Sequence, residues 1–238
     1  MMEKKERIVA IVLAAGSGKR MGSDTKKQYM LIGEKPVVYY SLKCFQESFV
    51  DEIVLVVGAG EVEYCQREIV ERYGFDKVSR IVEGGRERYH SVAIGLQSIE
   101  NCKFVFIHDG ARPMLTQEML KRLLDCVKVE NACVAGMPVK DTIKIADKEG
   151  CIAATPDRRL VWLVQTPQVF DYSLIKSAYD KLIKKEEEFL RQGLSVTDDA
   201  MVLETLTGHR VKLVEGSYEN IKITTPEDIG IAELFLNK

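Results

Sequence analysis

The chain has little with which to build a disulfide framework, a metal cage or a membrane anchor. Its six cysteines (Cys44, Cys65, Cys102, Cys126, Cys133 and Cys151) are scattered, with no C-x-x-C pair and no histidine at ligand spacing. They read as reduced core or surface thiols. No apolar run reaches the ~20 residues that a membrane span requires. The N-terminus, residues 1–7, is charged and leads into a short strand-like run. No membrane association and a cytoplasmic location are therefore expected. A basic excess is missing too: 34 Lys and Arg against 36 Asp and Glu leave a formal charge of −2 and a pI near 6.0. That balance argues against a general nucleic-acid binder, so any anion site must be local. There is no internal repeat and no low-complexity linker. The 238 residues, 46% hydrophobic and 29% charged, suit one domain with one sizeable core.

What the chain does have begins at Ala14-Ala15-Gly16-Ser17-Gly18-Lys19-Arg20-Met21-Gly22, directly after the apolar run Ile8–Leu13. Glycine lets backbone N–H groups approach an anion closely, and Lys19, Arg20 and nearby Lys27 add charge that backbone dipoles cannot supply. This is an arrangement for holding a polyphosphate. Two commoner motifs are excluded by the spacing. A dinucleotide fingerprint needs a glycine where Met21 stands, and a P-loop needs Ser or Thr where Arg20 follows Lys19. A Gly-rich turn that binds nothing is the alternative left open by the loop alone.

Short β-branched runs at Ile8–Leu13, Glu52–Val57, Val78–Val82 and Phe104–Ile107 alternate with amphipathic stretches at Val37–Gln46, Glu61–Tyr73 and Ser91–Ser98. This alternation predicts an α/β protein with a mainly parallel sheet flanked by helices. Ligands of such sheets sit at the carboxyl ends of the strands, where the Gly-rich loop lies. Pro36 suits a first helical position, Gly74 a C-terminal cap, and Thr116 the cap of a helix running to about Val129. From Ala132 to Thr166 the pattern turns strand-like, with a hairpin turn at Asp147–Gly150, which suggests a projecting β-arm. Beyond it a charged helix at about Tyr172–Gln192, a helix from Asp198, strands at Arg210–Glu215 and around Ile221–Thr224, and a terminal helix are expected. The mixed-sign run Lys184–Glu188 reads as a solvated helical face.

Polar residues that follow directly on apolar strands are candidates for chemistry. Asp109, in His108-Asp109-Gly110-Ala111-Arg112-Pro113, can hold Mg²⁺, which takes one or two carboxylates and completes its shell with water and phosphate. The alternative is an Asp-Gly turn with Arg112 paired to Asp109. His108 reads as a packed histidine. Gly84-Gly85-Arg86-Glu87-Arg88-Tyr89-His90-Ser91 offers backbone groups and the Ser91 hydroxyl for reading a base edge, or else a solvated loop with Ser91 as a helix cap. Asp157-Arg158-Arg159 with Thr166-Pro167-Gln168, Thr197-Asp198-Asp199, and Lys222 complete the set. Thr197 most simply caps a helix, and Lys222 is most simply an edge-strand charge.

Taken in order, these segments resemble one family. Leu13-Ala14-Ala15-Gly16-x-Gly18-x-Arg20-Met21-Gly22, Lys27-Gln28, Gly84-Gly85-x-x-Arg88-x-x-Ser91-Val92, His108-Asp109-Gly110-Ala111-Arg112-Pro113, Asp141-Thr142, Gln165-Thr166-Pro167-Gln168-x-Phe170, Thr197-Asp198-Asp199-Ala200 and Asn220-Ile221-Lys222-Ile223-Thr224-x-Pro226-Glu227-Asp228 are similar to the 2-C-methyl-D-erythritol 4-phosphate cytidylyltransferases of the non-mevalonate isoprenoid pathway. The resemblance runs over essentially the whole chain. It departs at Lys26, where the family often has proline, at Arg86, often acidic, and at Lys140, where arginine is as readily expected.

The resemblance implies a single Rossmann-like nucleotidyltransferase domain over residues 1–238, with the β-arm at about 139–160. It implies CTP held by Ala14, Ala15, Gly16, Gly18, Gly85 and Ser91, and Arg20, Lys27 and Lys222 around the reacting phosphates. Asp109 would lie by Mg²⁺ and the sugar. Arg112, Thr142, Arg158, Thr166 and Thr197 would serve the polyol phosphate, with Arg158 reaching in from a partner subunit of a homodimer. The substrate's own phosphate, with a second pKa of ~6, would be the nucleophile, which accounts for the lack of an obvious His or Cys nucleophile. A ribitol 5-phosphate cytidylyltransferase and a non-catalytic nucleotide-binding regulator are the rival readings. Gly110-Ala111 is more like the erythritol enzymes, and the grouped cations disfavour a mere binder.

Overall fold

The computed structural model describes residues 6–16, 25–193 and 195–237. The expected β-branched runs fall in strands β1 (Ile8–Ala14), β4 (Glu52–Val57), β5 (Val78–Glu83) and β6 (Phe104–Asp109), and the other strands are β2 (Leu31–Ile32), β3 (Lys35–Pro36), β7 (Ala132–Pro138), β8 (Ile145–Ala146), β9 (Ile152–Ala154), β10 (Trp162–Asp171) and β11 (Lys212–Glu215). The helices are α1 (Val37–Gln46), α2 (Val62–Cys65, continued by a π-helical turn at Gln66–Glu71), α3 (Arg88–Ser98), α4 (Gln117–Glu130), α5 (Tyr172–Lys184), α6 (Glu186–Arg191), α7 (Asp199–Thr207) and α8 (Glu227–Leu236). Among the described residues the main sheet has seven strands in the order β11-β7-β10-β6-β1-β4-β5. β10 runs antiparallel to both neighbours, and the other pairs are parallel.

The two faces of this sheet explain the β-branched runs. Successive strand residues point to opposite sides, and both sides are covered, so β1, β4 and β6 carry no exposed position. Ala10, Val12, Leu55, Phe104 and Phe106 face Phe45, Leu120 and Leu123 of α1 and α4. Val9, Ile11, Val54, Val105 and Ile107 face Val92, Leu96, Ile175, Tyr179 and Leu203 of α3, α5 and α7. β1 lies between β4, which follows it, and β6, which enters from the other side. This reversal of strand order opens a crevice at the carboxyl ends of β1 and β6, where Leu13 and Asp109 are register partners.

Several local expectations change. Pro36 precedes α1 as its cap instead of opening it, with an extended ψ of 149°. The charged helix breaks at Lys185 into α5 and α6. Residues 221–224 form no strand. That segment is tied by Ile223 N–H to the Ala111 carbonyl at 2.8 Å, and Ile223 is buried with Ile32, Val37 and Ala232 in a small cluster under α8. Gly74 does terminate its helix with a φ of +66°, a conformation that glycine adopts without penalty. Thr116 does cap α4, accepting from Met119 N–H at 3.2 Å. The hairpin β8–β9 stands where the arm is expected, and both of its strands are exposed.

Candidate active site

The loops that leave β1, β5 and β6 enclose a cleft of about 330 Å³ lined by Ala14, Ala15, Gly16, Lys27, Gly85, Arg86, Arg88, Ser91, Asp109 and Lys222 among others. The end of β1 is held open by Gln28, whose Nε2 donates to the carbonyls of Ala14 (2.6 Å) and Gly16 (3.1 Å). Opposite, Gly85 N–H donates to Ser91 Oγ at 3.1 Å. Gly84 is a close-approach position: a Cβ there would come 2.6 Å from both Ala15 Cβ and Ser91 Oγ. The backbone at Gly84 thus packs directly against the Ala15 and Ser91 side chains. Ser91 does not cap α3, which begins at Arg88 with Glu87 and His90 forming a capping box.

Asp109 is the charged centre of this cleft. Its Oδ1 accepts from Arg88 Nε at 3.2 Å and its Oδ2 from Lys222 Nζ at 2.6 Å. Burial by itself would raise the carboxyl pKa, but the cations of Arg88 and Lys222 outweigh it and hold the group well below the usual carboxylate range. The alternative pairing of Arg112 with Asp109 is not what forms; these two cations are the partners. Arg88 reaches further back: Nη1 and Nη2 donate to the two oxygens of the fully buried Asp199 at 2.8 and 2.9 Å, and Tyr179 Oη donates to Asp199 Oδ1 at 2.6 Å. Lys222 is no edge-strand charge; it projects into the cleft from the irregular segment. Lys27 joins it, with Nζ donating to the Ile223 carbonyl at 3.1 Å.

Beneath Asp109 lies His108, fully buried. Its Nε2 meets the Arg112 carbonyl at 3.1 Å, so Nε2 carries the proton and Nδ1 accepts from the Thr166 hydroxyl at 3.1 Å. Thr166 Oγ1 in turn accepts from Asp109 N–H at 3.0 Å. Burial pushes the His108 pKa down to about 4, so the imidazole is neutral and positions backbone; it does not shuttle protons.

Of the residues expected at the site, Ala14, Ala15, Gly16, Lys27, Gly85, Ser91, Asp109 and Lys222 are brought together, while Gly18 and Arg20 lie outside the described residues. The others are not gathered there within this one chain. Arg112 turns away and donates Nη1 to the Asn220 carbonyl at 2.7 Å. Thr166 is buried below the cleft floor. Thr142 and Arg158 are exposed on the arm, where Arg158 Nη1 donates to the Lys140 carbonyl at 3.3 Å. Thr197 is exposed and does not cap α7; Asp198 does, accepting from Met201 N–H at 2.9 Å. Two of the three departures from the family pattern have partners: Lys26 pairs with Glu61 at 2.6 Å, and the Lys140 ammonium sits 3.6 Å from the centre of the Tyr218 ring; Arg86 lines the cleft.

Compared with known proteins, residues 8–238 match the family model described as 2-C-methyl-D-erythritol 4-phosphate cytidylyltransferase. The chain belongs to the 2-C-methyl-D-erythritol 4-phosphate cytidylyltransferase family. Relatives carrying that name include one from Lachnospira eligens, 51% identical over 228 residues that cover 95% of this chain and 98% of that protein. Another, from Lachnoclostridium phytofermentans, is 48% identical over 233 residues, covering 98% and 97%. A crystal structure of 4-diphosphocytidyl-2C-methyl-D-erythritol synthase from Anaerococcus prevotii superposes with a TM-score of 0.82 at 33% identity, covering 98% of this chain and 99% of that one. This cytidylyltransferase family membership makes the chain a nucleotidyltransferase and does not favour the ribitol alternative. Arg88, which lines the cleft, and Asp199, which clamps it from behind, are residues to which sequence reasoning gave no role, although both stand inside the quoted motifs. Glu186 was misread as solvated; it accepts from Tyr89 Oη at 2.6 Å and from His90 Nε2 at 3.1 Å.

Proposed function

We propose that this chain transfers the cytidylyl group of CTP to 2-C-methyl-D-erythritol 4-phosphate, giving 4-diphosphocytidyl-2-C-methyl-D-erythritol and pyrophosphate. The observation that carries the reading is a cleft in which apposed backbone segments, Ala14–Gly16 and Gly85, meet the ammonium groups of Lys27 and Lys222 beside one ionised carboxylate. A phosphate oxygen of the polyol attacks the α-phosphorus of CTP in line, the α–β bridging bond breaks, and the electron pair leaves on pyrophosphate. No general base is required, because the attacking phosphate is mostly dianionic at neutral pH with a second pKa of ~6. Two polyanions must approach while negative charge grows at phosphorus, and Lys27, Lys222 and Arg20 stabilise that charge.

The donor set fits Mg²⁺ held mainly by phosphate and water, with Asp109 as its one protein carboxylate. Among the described residues no group of three or more His, Cys, Asp or Glu side chains gathers, so an all-protein cage does not fit. When bound, the ion neutralises phosphate charge and eases departure of pyrophosphate. Asp109, whose two oxygens accept from Arg88 and Lys222, would share its remaining lone pairs with the ion.

The whole chain acts as one domain, and two copies pair through the arm. Supporting this, apolar side chains of the arm and its base stand open: Ile152 is 66% exposed and Leu160 81%. Thr142 and Arg158 then serve the partner's polyol phosphate site, which accounts for their distance from the cleft of their own chain. Six free thiols agree with a cytoplasmic enzyme, and no helix of the described residues is long and apolar enough to cross a membrane. Pyrophosphate release, measured with CTP and each polyol phosphate in turn, tests the assignment. Turnover confined to ribitol 5-phosphate would replace the substrate, and no turnover with CTP would refute the reaction.

A further inference from the structure

Lys222 stands on a segment without regular secondary structure, so nothing in a helix or strand sets the direction of its side chain. A lysine stem has many rotamers and three rotatable donors. Yet its ammonium must meet a phosphate at one place. What fixes it is a line of side chains running from the interior to the cleft. The Lys222 ammonium is bound by Asp109 Oδ2 at 2.6 Å, and the other oxygen of Asp109 accepts from Arg88 Nε at 3.2 Å. The forked end of Arg88 is clamped by both oxygens of Asp199, at 2.8 and 2.9 Å. A planar guanidinium held at both Nη atoms cannot turn without losing two bonds, so the direction of its Nε–H is set by Asp199. Asp199 is held in turn by Tyr179 Oη at 2.6 Å and by its own N–H on Gln168 Oε1 at 3.0 Å. Tyr179 lies on α5 and is fully buried, away from the cleft lining.

We infer that Tyr179, Asp199 and Arg88 form a buried relay that orients Asp109 and, through it, aims the Lys222 ammonium at the phosphates. Tyr179 and Asp199 are positioning residues; they touch no substrate. The two carboxylates and two cations of the line cancel in charge, so the relay supplies direction and not net potential. The inference rests on the cytidylyl-transfer reading for the role of Lys222, while the relay itself rests on the distances above.

Removing Asp199 or Arg88 strips a partner from a buried ion pair and threatens folding. Tyr179→Phe deletes one hydroxyl and keeps the ring, so it is the variant to use. Wild type, Tyr179→Phe, Lys222→Gln and the double variant are compared by kcat for pyrophosphate release and by calorimetric affinity for CTP with Mg²⁺. Tyr179→Phe is expected to lower kcat about five- to twenty-fold when Lys222 is present, less than the roughly 10- to 150-fold of a whole hydrogen bond to a charged group because the loss is felt through the relay, and less than about twofold when it is Gln. CTP affinity is expected to show the same loss of effect, which covers the case of a double variant too slow to assay. An equal factor in both backgrounds, or an unchanged kcat in folded Tyr179→Phe, would make Tyr179 a packing residue of α5 and α7 and overturn the relay. A wild type inactive with methylerythritol phosphate would refute the reaction instead, and the affinity cycle would still decide the relay.

Discussion

His108 links the stability of the fold to the order of the cleft, and its effect can be worked out from its surroundings. With no exposed surface and a pKa near 4, it is neutral in the folded protein over most of the accessible pH range. In the unfolded chain the pKa returns to about 6.5. As pH falls, the unfolded state therefore takes up the proton first, and the folded state loses stability between about 6.5 and 4. Above about 6.5 the full stability is present. Between pH 8 and pH 5 the imbalance amounts to about 2 kcal/mol, or about 4–8 °C in Tm for a chain of this size. Asp109, whose folded pKa is depressed, behaves in the same sense, but its loss falls below its ordinary value of about 3.9 and outside this window. His108→Gln keeps a donor for the Arg112 carbonyl and an acceptor for the Thr166 hydroxyl, and it cannot titrate. Urea unfolding of both proteins at pH 8, 6 and 5 should show the parent losing about 2 kcal/mol more than the variant by pH 5. Parallel curves would refute the claim that a neutral, buried imidazole underpins Asp109.

Three further outcomes follow from the cleft. Lys27→Ala should lower kcat by about 10²–10³, or ~2.7–4 kcal/mol, with little change in KM for CTP; a steady-state kcat within twofold of the parent would remove Lys27 from the chemistry. Arg158→Ala should weaken use of the polyol phosphate and leave CTP binding intact, and mixing its subunits with Lys27→Ala subunits should restore one site per heterodimer. No recovery after confirmed exchange would put Arg158 to work in its own subunit. Gly84→Ala should raise the Kd for CTP by calorimetry about tenfold or more, because its Cβ would meet Ala15 and Ser91 at 2.6 Å; unchanged affinity would separate that approach from nucleotide binding.

The architecture was legible because its signals are local. The β-branched runs of β1, β4 and β6 report burial on both faces, and Gly74 and Thr116 report helix ends through their own backbone needs. The backbone half of the cleft, Ala14–Gly16 and Gly84-Gly85, was legible for the same reason. Its charged half was less so. Arg88 and Asp199 are 111 positions apart in the chain, and a pair so separated leaves no periodic trace. Lys222 looked like a strand residue because Ile221 and Ile223 alternate with it, yet Ile223 is buried under α8 and no strand among the described residues pairs with the segment. Thr197 and Asp198 compete for the same cap, and the carboxylate beside the positive end of α7 prevails. Thr142 was read from family resemblance alone and Arg158 first as an arginine suited to phosphate; both stand exposed on the arm, outside the cleft lining of their own chain.

The most direct test of the central claim is to follow oxygen from the polyol phosphate. The enzyme is supplied with CTP, Mg²⁺ and 2-C-methyl-D-erythritol 4-phosphate carrying ¹⁸O in its phosphate, and the products are read by ³¹P spectroscopy and mass. Attack by that phosphate on the α-phosphorus predicts that all label stays in the diphosphate-linked cytidyl alcohol, including its bridging oxygen, and that pyrophosphate is unlabelled. Label in pyrophosphate, or formation of CMP in place of the linked product, would contradict cytidylyl transfer.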